Sequence, residues 1–365
     1  MEHIKFVAKD QQEKQFTADL RKNVKQYFED NNLSIKGDSR LYVKTIVMVS
    51  LYLVPFIVML AMPVPAGVAA LLCVVMGIGV AGTGMGVMHD AVHGAYSHKV
   101  WVNKLMGGTL YLLGSNVLNW KLQHNVFHHA YTNVGGIDED IDTKGPIRLA
   151  EQAPLKKIHY YQHIYAFALY GLLTISKLFK DFTQLARYNK AGVTKNYMES
   201  PAWEYTKMVV IKLAYLVAII GLPIVFTSFT WWQVAIGFFI MHWTAGFILS
   251  TIFQMAHVVE GAEQPVADSA GHINHAWAVH ELQTTSDFAR NNSLVNWYVG
   301  GLNFQIEHHL FPNISHVHYR KISYIVERTA KQYGINYNLK PSFRAAIRSH
   351  IVKLKELGRQ PAYQH

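Results

Sequence analysis

Three short strings concentrate the histidines of this chain: HDAVH with His89 and His93, HNVFHH with His124, His128 and His129, and QIEHH with Gln305, His308 and His309. Imidazole is the commonest side-chain ligand for metals. Seven of the twenty histidines gathered in three groups therefore point to a metal centre. His89 and His93 stand four apart, which puts both rings on one face of a helix, and His124 and His128 repeat that spacing. His129 and His309 each follow another histidine directly, so each lies about 100° further round a helix. Two adjacent rings that point apart do not easily hold one ion, and the doublets thus predict two ions.

His257, in FQMAHVV, is an eighth candidate ligand where an apolar stretch ends. His280 is its rival, and Gln305 offers an amide oxygen, directly or through water. Asp90 and Glu307 lie inside the first and third strings and are expected to orient imidazoles from behind. The run Asp138, Glu139, Asp140 and Asp142 reads equally as a solvated loop or as part of the site. Trp120, Asn125, Asn133 and Asn303 lie near the strings and read as packing residues. His98, His316 and His318 are off the spacing and read as surface or hydrogen-bonding groups, and His242 as a helix–helix hydrogen bonder. Imidazole suits zinc, copper, iron and nickel alike, so ligand type leaves the metal open. Eight histidines exceed the roughly three protein ligands of a hydrolytic zinc site.

The elements that must position these groups are membrane spans. No Lys or Arg occurs from Thr45 to His98 or from Leu213 to Ala289. Each stretch can cross a bilayer twice at roughly 20 residues per crossing. The expected spans are about 45–62, 65–88, 208–228 and 231–255. All Lys and Arg lie outside the spans and their hairpin turns, apart from the first residues of the third span, so both termini and the central segment 99–212 are expected on the cytoplasmic side. The three strings then share that side. The net charge of +10 is assigned to anionic headgroups rather than to nucleic acid. An arm (1–44), a membrane unit (45–340) and a cytoplasmic tail (341–365) divide the chain. The interrupted apolar stretches Val102–Leu118 and Ile158–Phe179 predict interfacial or re-entrant helices. The fold class expected is an all-α integral membrane protein, with four transmembrane helices in two hairpins and a cytoplasmic helical cap holding a histidine-rich dimetal site.

The lone Cys73 excludes an intramolecular disulfide, a CxxC pair and a thiolate-held iron–sulfur cluster. The glycines of GIGVAGTGMG follow no strand and so do not form a dinucleotide loop. They suit close approach by another helix or a lipid chain. The first 40 residues hold no apolar leader, so the first span is expected to act as its own insertion signal.

HDAVH, the pattern WxxxHNxxHH at Trp120–His129, Thr132–Asn133 and GGLNFQIEHHLFP at 300–312 together resemble the membrane fatty acid desaturases, over roughly residues 40–335. Gln305 at the head of the third string is similar to the front-end subgroup, which adds a double bond between an existing one and the carboxyl end. Sphingolipid desaturases share this glutamine. The resemblance implies two non-haem iron ions, molecular oxygen as co-substrate and a new cis double bond of delta-5 or delta-6 type. It implies an extra histidine ligand on the last span, which His257 matches. The string HELQTT at His280–Thr285 is also similar to front-end sequences and is implied to line the acyl tunnel. Members with a fused b-type cytochrome carry an HPGG motif that this chain lacks. Electrons are then expected from a separate carrier, a ferredoxin or a b-type cytochrome with its reductase. The acyl chain is expected to be linked to a lipid, coenzyme A or a carrier protein, and the location to be a bacterial cytoplasmic membrane. Two alternatives stand beside this reading. One is a diiron lipid hydroxylase or a sphingolipid-type desaturase. The other is a membrane metal-binding protein or transporter, although transporter sites sit in broken helices near the bilayer midplane rather than at the ends of spans.

Overall fold

The computed structural model describes residues 4–142 and 145–361. Helices make up nearly all of its regular structure. Four two-residue strands pair in parallel: β1 (Lys5–Phe6) with β2 (His272–Ile273), and β3 (Asp287–Phe288) with β4 (Leu339–Lys340).

Helix α1 (Gln11–Asp30) starts at Asp10, whose carboxylate accepts the Glu13 N–H and satisfies an amide that the helix itself cannot. Its buried stripe, Phe16, Leu20, Val24 and Phe28, has the spacing of one helical face. Four long apolar helices follow the pattern expected of spans: α2 (Ser39–Ala61), α3 (Ala66–Val92) and, after the central segment, Pro201–Phe226 and Trp231–His257. The protein is a multi-pass membrane protein. The first three of these helices outrun the expected spans by one to two turns at one end, where polar residues continue the helix, and the fourth by two residues. His89 therefore lies within α3 rather than just past it.

The central segment supplies α4 (Val100–Gly107), a 3-10 turn at Gly108–Leu113, and α5 (Val117–Lys121), which runs on as a π-helix through Leu122–His128. Then come α6 (Gln162–Tyr170) and α7 (Leu173–Lys190). The two apolar spans after them are α8 (Pro201–Phe226) and α9 (Trp231–His257). The corner between α6 and α7 reaches down α9, where Thr174 Oγ1 donates to the His242 carbonyl at 2.9 Å. His242 also bonds the Tyr215 hydroxyl at 2.7 Å, a helix–helix role. The chain ends in α10 (Trp277–Thr284), α11 (Ser293–Tyr298), α12 (Gln305–Leu310), α13 (Tyr319–Gln332) and α14 (Phe343–Leu357).

Of the four spans, α3 and α9 form the inner pair, 56% and 39% buried against 22% for α2 and 17% for α8. Glycine makes their contact close: a Cβ on Gly77 would lie 2.6 Å from the Met241 carbonyl oxygen. The cap gathers over one end of this pair. The α1 stripe packs there with Val279, Leu282, Ile306, Ile322 and Val326. Helix α14, in the segment expected to be a tail, buries Ala346, His350 and Leu354 completely. His350 Nδ1 donates to the Val258 carbonyl at 2.7 Å and ties α14 to the end of α9.

Candidate metal centre

Chain segments far apart in sequence bring the histidine strings together at the cap end of α3 and α9. His89 comes from the last turn of α3 and His93 from the residue after it, His124 and His128 from the π-helix and His129 from the residue after it, His257 from the last residue of α9, and His308 and His309 from α12. The ring nitrogens fall into two main groups. His89, His93, His124 and His308 form one, and His128, His257 and His309 the other, with all chosen nitrogens of a group within 4.8 Å of one another. His129, His308 and His309 form a further such group that bridges the two.

The spacing within the first group is close. His89 Nε2 is 3.0 Å from His124 Nε2, and in the bridging group His129 Nε2 is 2.9 Å from His308 Nε2. Two nitrogens bound about 2.1 Å from one ion lie roughly 3 to 3.4 Å apart. Nε2 of His93, His128 and His309 is buried with no hydrogen-bond partner. Buried polar atoms without partners are rare and ask for an explanation such as an ion. The donor set therefore fits a metal centre.

Behind the rings stand acceptors that fix their orientation. Asp138 Oδ2 is 2.9 Å from His128 Nδ1. Thr132 Oγ1 bonds His309 Nδ1 at 2.9 Å, and Glu281 Oε2 stands 3.0 Å from the same nitrogen. The Tyr319 hydroxyl lies 3.2 Å from His308 Nδ1. Such partners select the ring tautomer and leave Nε2 bare toward the site. Trp120 leans on His124 with ring centres 4.4 Å apart. Asn133, at φ +56, donates to the carbonyls of His257 at 2.8 Å and Thr284 at 2.9 Å, and so holds the end of α9 to α10.

Burial holds His124, His129, His308 and His309 well below the ordinary imidazole range, in the neutral form that binds metal. His128 differs. Burial opposes its charge too, but the Asp138 carboxylate outweighs it and lifts the ring to about 9. Burial pushes Glu281 up to about 8.

Both carboxylates expected to orient imidazoles face elsewhere. Asp90 lies 2.9 Å from His316 Nδ1 and accepts from Ser315 Oγ at 2.7 Å. Glu307 accepts from the Tyr337 hydroxyl at 2.9 Å, and the same hydroxyl reaches Asp287 at 2.6 Å. The reason is rotation: each sits beside a site histidine in sequence and so points to another side of its helix. Gln305 donates to the Leu302 carbonyl at 3.0 Å, and its amide lies against His257. His280 is outside the histidine groups. Its ring packs on Phe6 at 4.8 Å, bonds the Thr132 backbone and leaves Nε2 without a partner. The acidic run belongs to the site through Asp138 and through Asp140, whose Oδ2 lies 3.5 Å from His128 Nδ1, while Glu139 pairs with Arg187 at 2.7 Å.

Residues 31–341 match the model of the fatty acid desaturase family. The chain belongs to that family. It is an oxidoreductase, its histidine clusters fit a metal site, and its family implies a fatty acyl substrate. A desaturase from Synechocystis sp., "sn-1 linoleoyl-lipid 6-desaturase", is 33% identical over 98% of both chains. The protein of the same name from Arthrospira platensis is 32% identical over 95% of this chain and 93% of its own. The "Acyl-lipid (8-3)-desaturase" of Physcomitrium patens is 31% identical over 96% of this chain and 73% of its own.

Within this desaturase, Glu281, Thr132 and Tyr319 act on the histidines without any signal in the histidine spacing. Glu281 is the E of HELQTT, next to the rival His280, and its side chain rather than that of His280 faces His309. Thr132 Oγ1 shares His309 Nδ1 at 2.9 Å.

Proposed function

We propose that this desaturase is an oxygen-dependent diiron enzyme of the front-end type, which inserts a cis double bond on the carboxyl side of an existing one. The observation that carries the reading is the split of the histidines into two groups bridged by His129, His308 and His309. Two metals call for such an arrangement, and the family supplies the substrate. The ligands proposed are His89, His93, His124, His129 and His308 for one ion and His128, His257 and His309 for the other, with His129 and His308 at the boundary. Gln305, against His257, is placed to hold water or to complete the second ion.

The overall change balances as one oxygen molecule, two electrons, two protons and a CH2–CH2 unit giving a CH=CH unit and two waters. Iron bound at these ligands would supply the activation of oxygen for removing hydrogen from unactivated carbon. The chain itself supplies position and exclusion. Asp138, Glu281 and Tyr319 fix the rings. The site is buried throughout, with His128, His257 and His309 at 0% exposure, so bulk water is kept from the reacting carbons. Supporting the front-end reading are Gln305 and the names of the relatives, of which the two lipid 6-desaturases favour a delta-6 position on a lipid-linked chain. We place the cap, the site and both termini on the cytoplasmic side of a bacterial membrane, with a ferredoxin or b-type cytochrome as electron donor.

The test is the fatty acid profile of a host that expresses the protein with a matched electron donor and is fed mono- and diunsaturated acids. A new double bond on the carboxyl side of an existing one is expected. A hydroxylated product would replace the desaturase chemistry with oxygen insertion, and a bond on the methyl side would overturn the front-end assignment.

A further inference from the structure

We propose that the exposed basic end of α7, with the turn that follows it, is the docking surface for an acidic one-electron carrier protein, and that electrons pass from it to the site through His128. The proposal rests on the diiron reading above and concerns how that site is reduced.

Two routes run from this surface to one imidazole. His128 Nδ1 lies 2.9 Å from Asp138, and the next residue along, Glu139, accepts from Arg187 at 2.7 Å. Arg187 is exposed. One hydrogen bond, a short piece of backbone and one ion pair thus connect the ring to solvent. The second route leaves through Phe127, the chain neighbour of His128. Its ring stacks on Tyr188 with centres 5.5 Å apart, and the Tyr188 hydroxyl reaches Glu139 at 2.9 Å. Gln184 stiffens the junction, since its Nε2 contacts the Tyr188 hydroxyl at 2.9 Å and Glu139 at 3.2 Å. Electron tunnelling weakens steeply across empty space and favours such bonded and stacked paths.

The surface over these routes is positive. Arg187 and Lys190 lie on the exposed side of α7, Lys195 on the next turn, and Lys121 stands 5.6 Å from the ring of Tyr197 beside them. Asp181 is buried against Lys212 at 2.8 Å, Glu139 is paired with Arg187 and Glu199 is exposed, so the net positive charge comes from Lys121, Lys190 and Lys195. A patch of one sign steers a partner of the other, raises its association rate and makes binding sensitive to salt. An anionic bilayer could use the same charges, but a lipid contact would have no need of the two routes to His128. Each double bond takes two electrons, so two reduced carriers give one electron each, and oxygen is the final acceptor.

The test compares the metal-loaded protein in nanodiscs with its Lys190→Glu/Lys195→Glu variant, using a plant-type ferredoxin and a soluble cytochrome b5 as probes. A second variant, Lys22→Glu/Lys25→Glu, makes the same charge change on exposed positions of α1. Direct binding should weaken about tenfold in the first variant for the carrier that serves the enzyme, with a flatter salt dependence, and hold in the second. Product from one turnover driven by dithionite should be equal in all three proteins. Unchanged carrier affinity, an equal loss in the α1 variant, or a fall in the dithionite turnover would each overturn the docking assignment. Unchanged carrier affinity with altered dependence on anionic lipid would give the patch to the membrane. A wild-type protein that makes no double bond with dithionite would instead remove the diiron reading, and the docking proposal with it.

Discussion

His124 and His129 stand five residues apart and face each other, with their Nε2 atoms 3.2 Å apart. A π-helix sets this geometry: the His129 N–H bonds the His124 carbonyl at 3.0 Å, an i to i+5 link. On an α-helix the face-mate of His124 would be His128. The wider turn brings His129 beside His124 of the first group, while His128 also joins His257 and His309. One irregular turn therefore serves both groups. Single π-turns of this kind are found mostly at functional sites, where their weaker geometry is tolerated for the side-chain placement they give.

This division makes His128 and His129 separable. His129→Ala is expected to weaken the first group and His128→Ala the second, each losing roughly one of the two ions and nearly all desaturation. Metal content per chain, measured by mass spectrometry on protein in detergent, checks it. Two retained ions in either variant would break the grouping.

The acceptors behind the rings should matter almost as much as the ligands. Asp138→Asn and Glu281→Gln keep shape but weaken the hold on His128 and His309. Each is expected to cost about 10- to 100-fold in metal affinity or turnover. Asp90→Asn, which faces His316, is expected to cost less. Competition with a chelator ranks the three, and an equal loss in all of them would deny the special place of Asp138 and Glu281.

Much of the fold lies open in the charge pattern. The gaps in Lys and Arg mark four spans because charge is excluded from the bilayer core, and four apolar helices occupy them. The histidine strings show the site for a similar reason, since that many imidazoles have few other uses. Less legible were features that depend on rotation about a helix. The π-helix changed the pairing of His124, and no residue type announces it. Asp90 and Glu307 stand next to site histidines in sequence, yet their own side chains point away from the site toward His316 and Tyr337. Glu281, more than twenty residues from any site histidine, carries no spacing signal and enters the site through the packing of α10 on α12.

Buried neutral imidazoles make the metal-free protein sensitive to acid. His124, His129, His308 and His309 are held well below 6.5 by burial, while in the unfolded chain they titrate near it. The unfolded state then binds more protons as pH falls through 6.5, so folding stability is lost in that direction. His128 has the opposite sign, since its folded value near 9 adds stability as pH falls from 9 toward 6.5, and below that its contribution is constant. Four groups outweigh it at the acid end. Thermal unfolding of the metal-free protein should show a midpoint that falls below about pH 6.5, and metal should suppress the fall. A midpoint flat down to the carboxylate range would contradict the neutral assignment.

Gly300 joins the third string to the first through backbone contact. It has φ +61, and a Cβ there would lie 2.5 Å from both the Gly86 Cα and the Met85 carbonyl oxygen. Neither atom belongs to a flexible side chain, so the added carbon must push the segment before α12 away from α3. Gly300→Ala is expected to cost roughly 2 to 4 kcal/mol from left-handed strain and overpacking together. The displacement falls between His89 and His308, whose rings are 4.4 Å apart, so metal affinity should drop along with stability. Gly334 separates the two causes. It has φ +67 with nothing within 4 Å of its Cβ position, and Gly334→Ala should cost about 1 kcal/mol with metal content unchanged. Unfolding and metal content of both variants decide the matter: equal losses would reduce Gly300 to a turn residue, whereas metal loss confined to Gly300→Ala would establish that contact with α3 sets the distance between the two histidine strings.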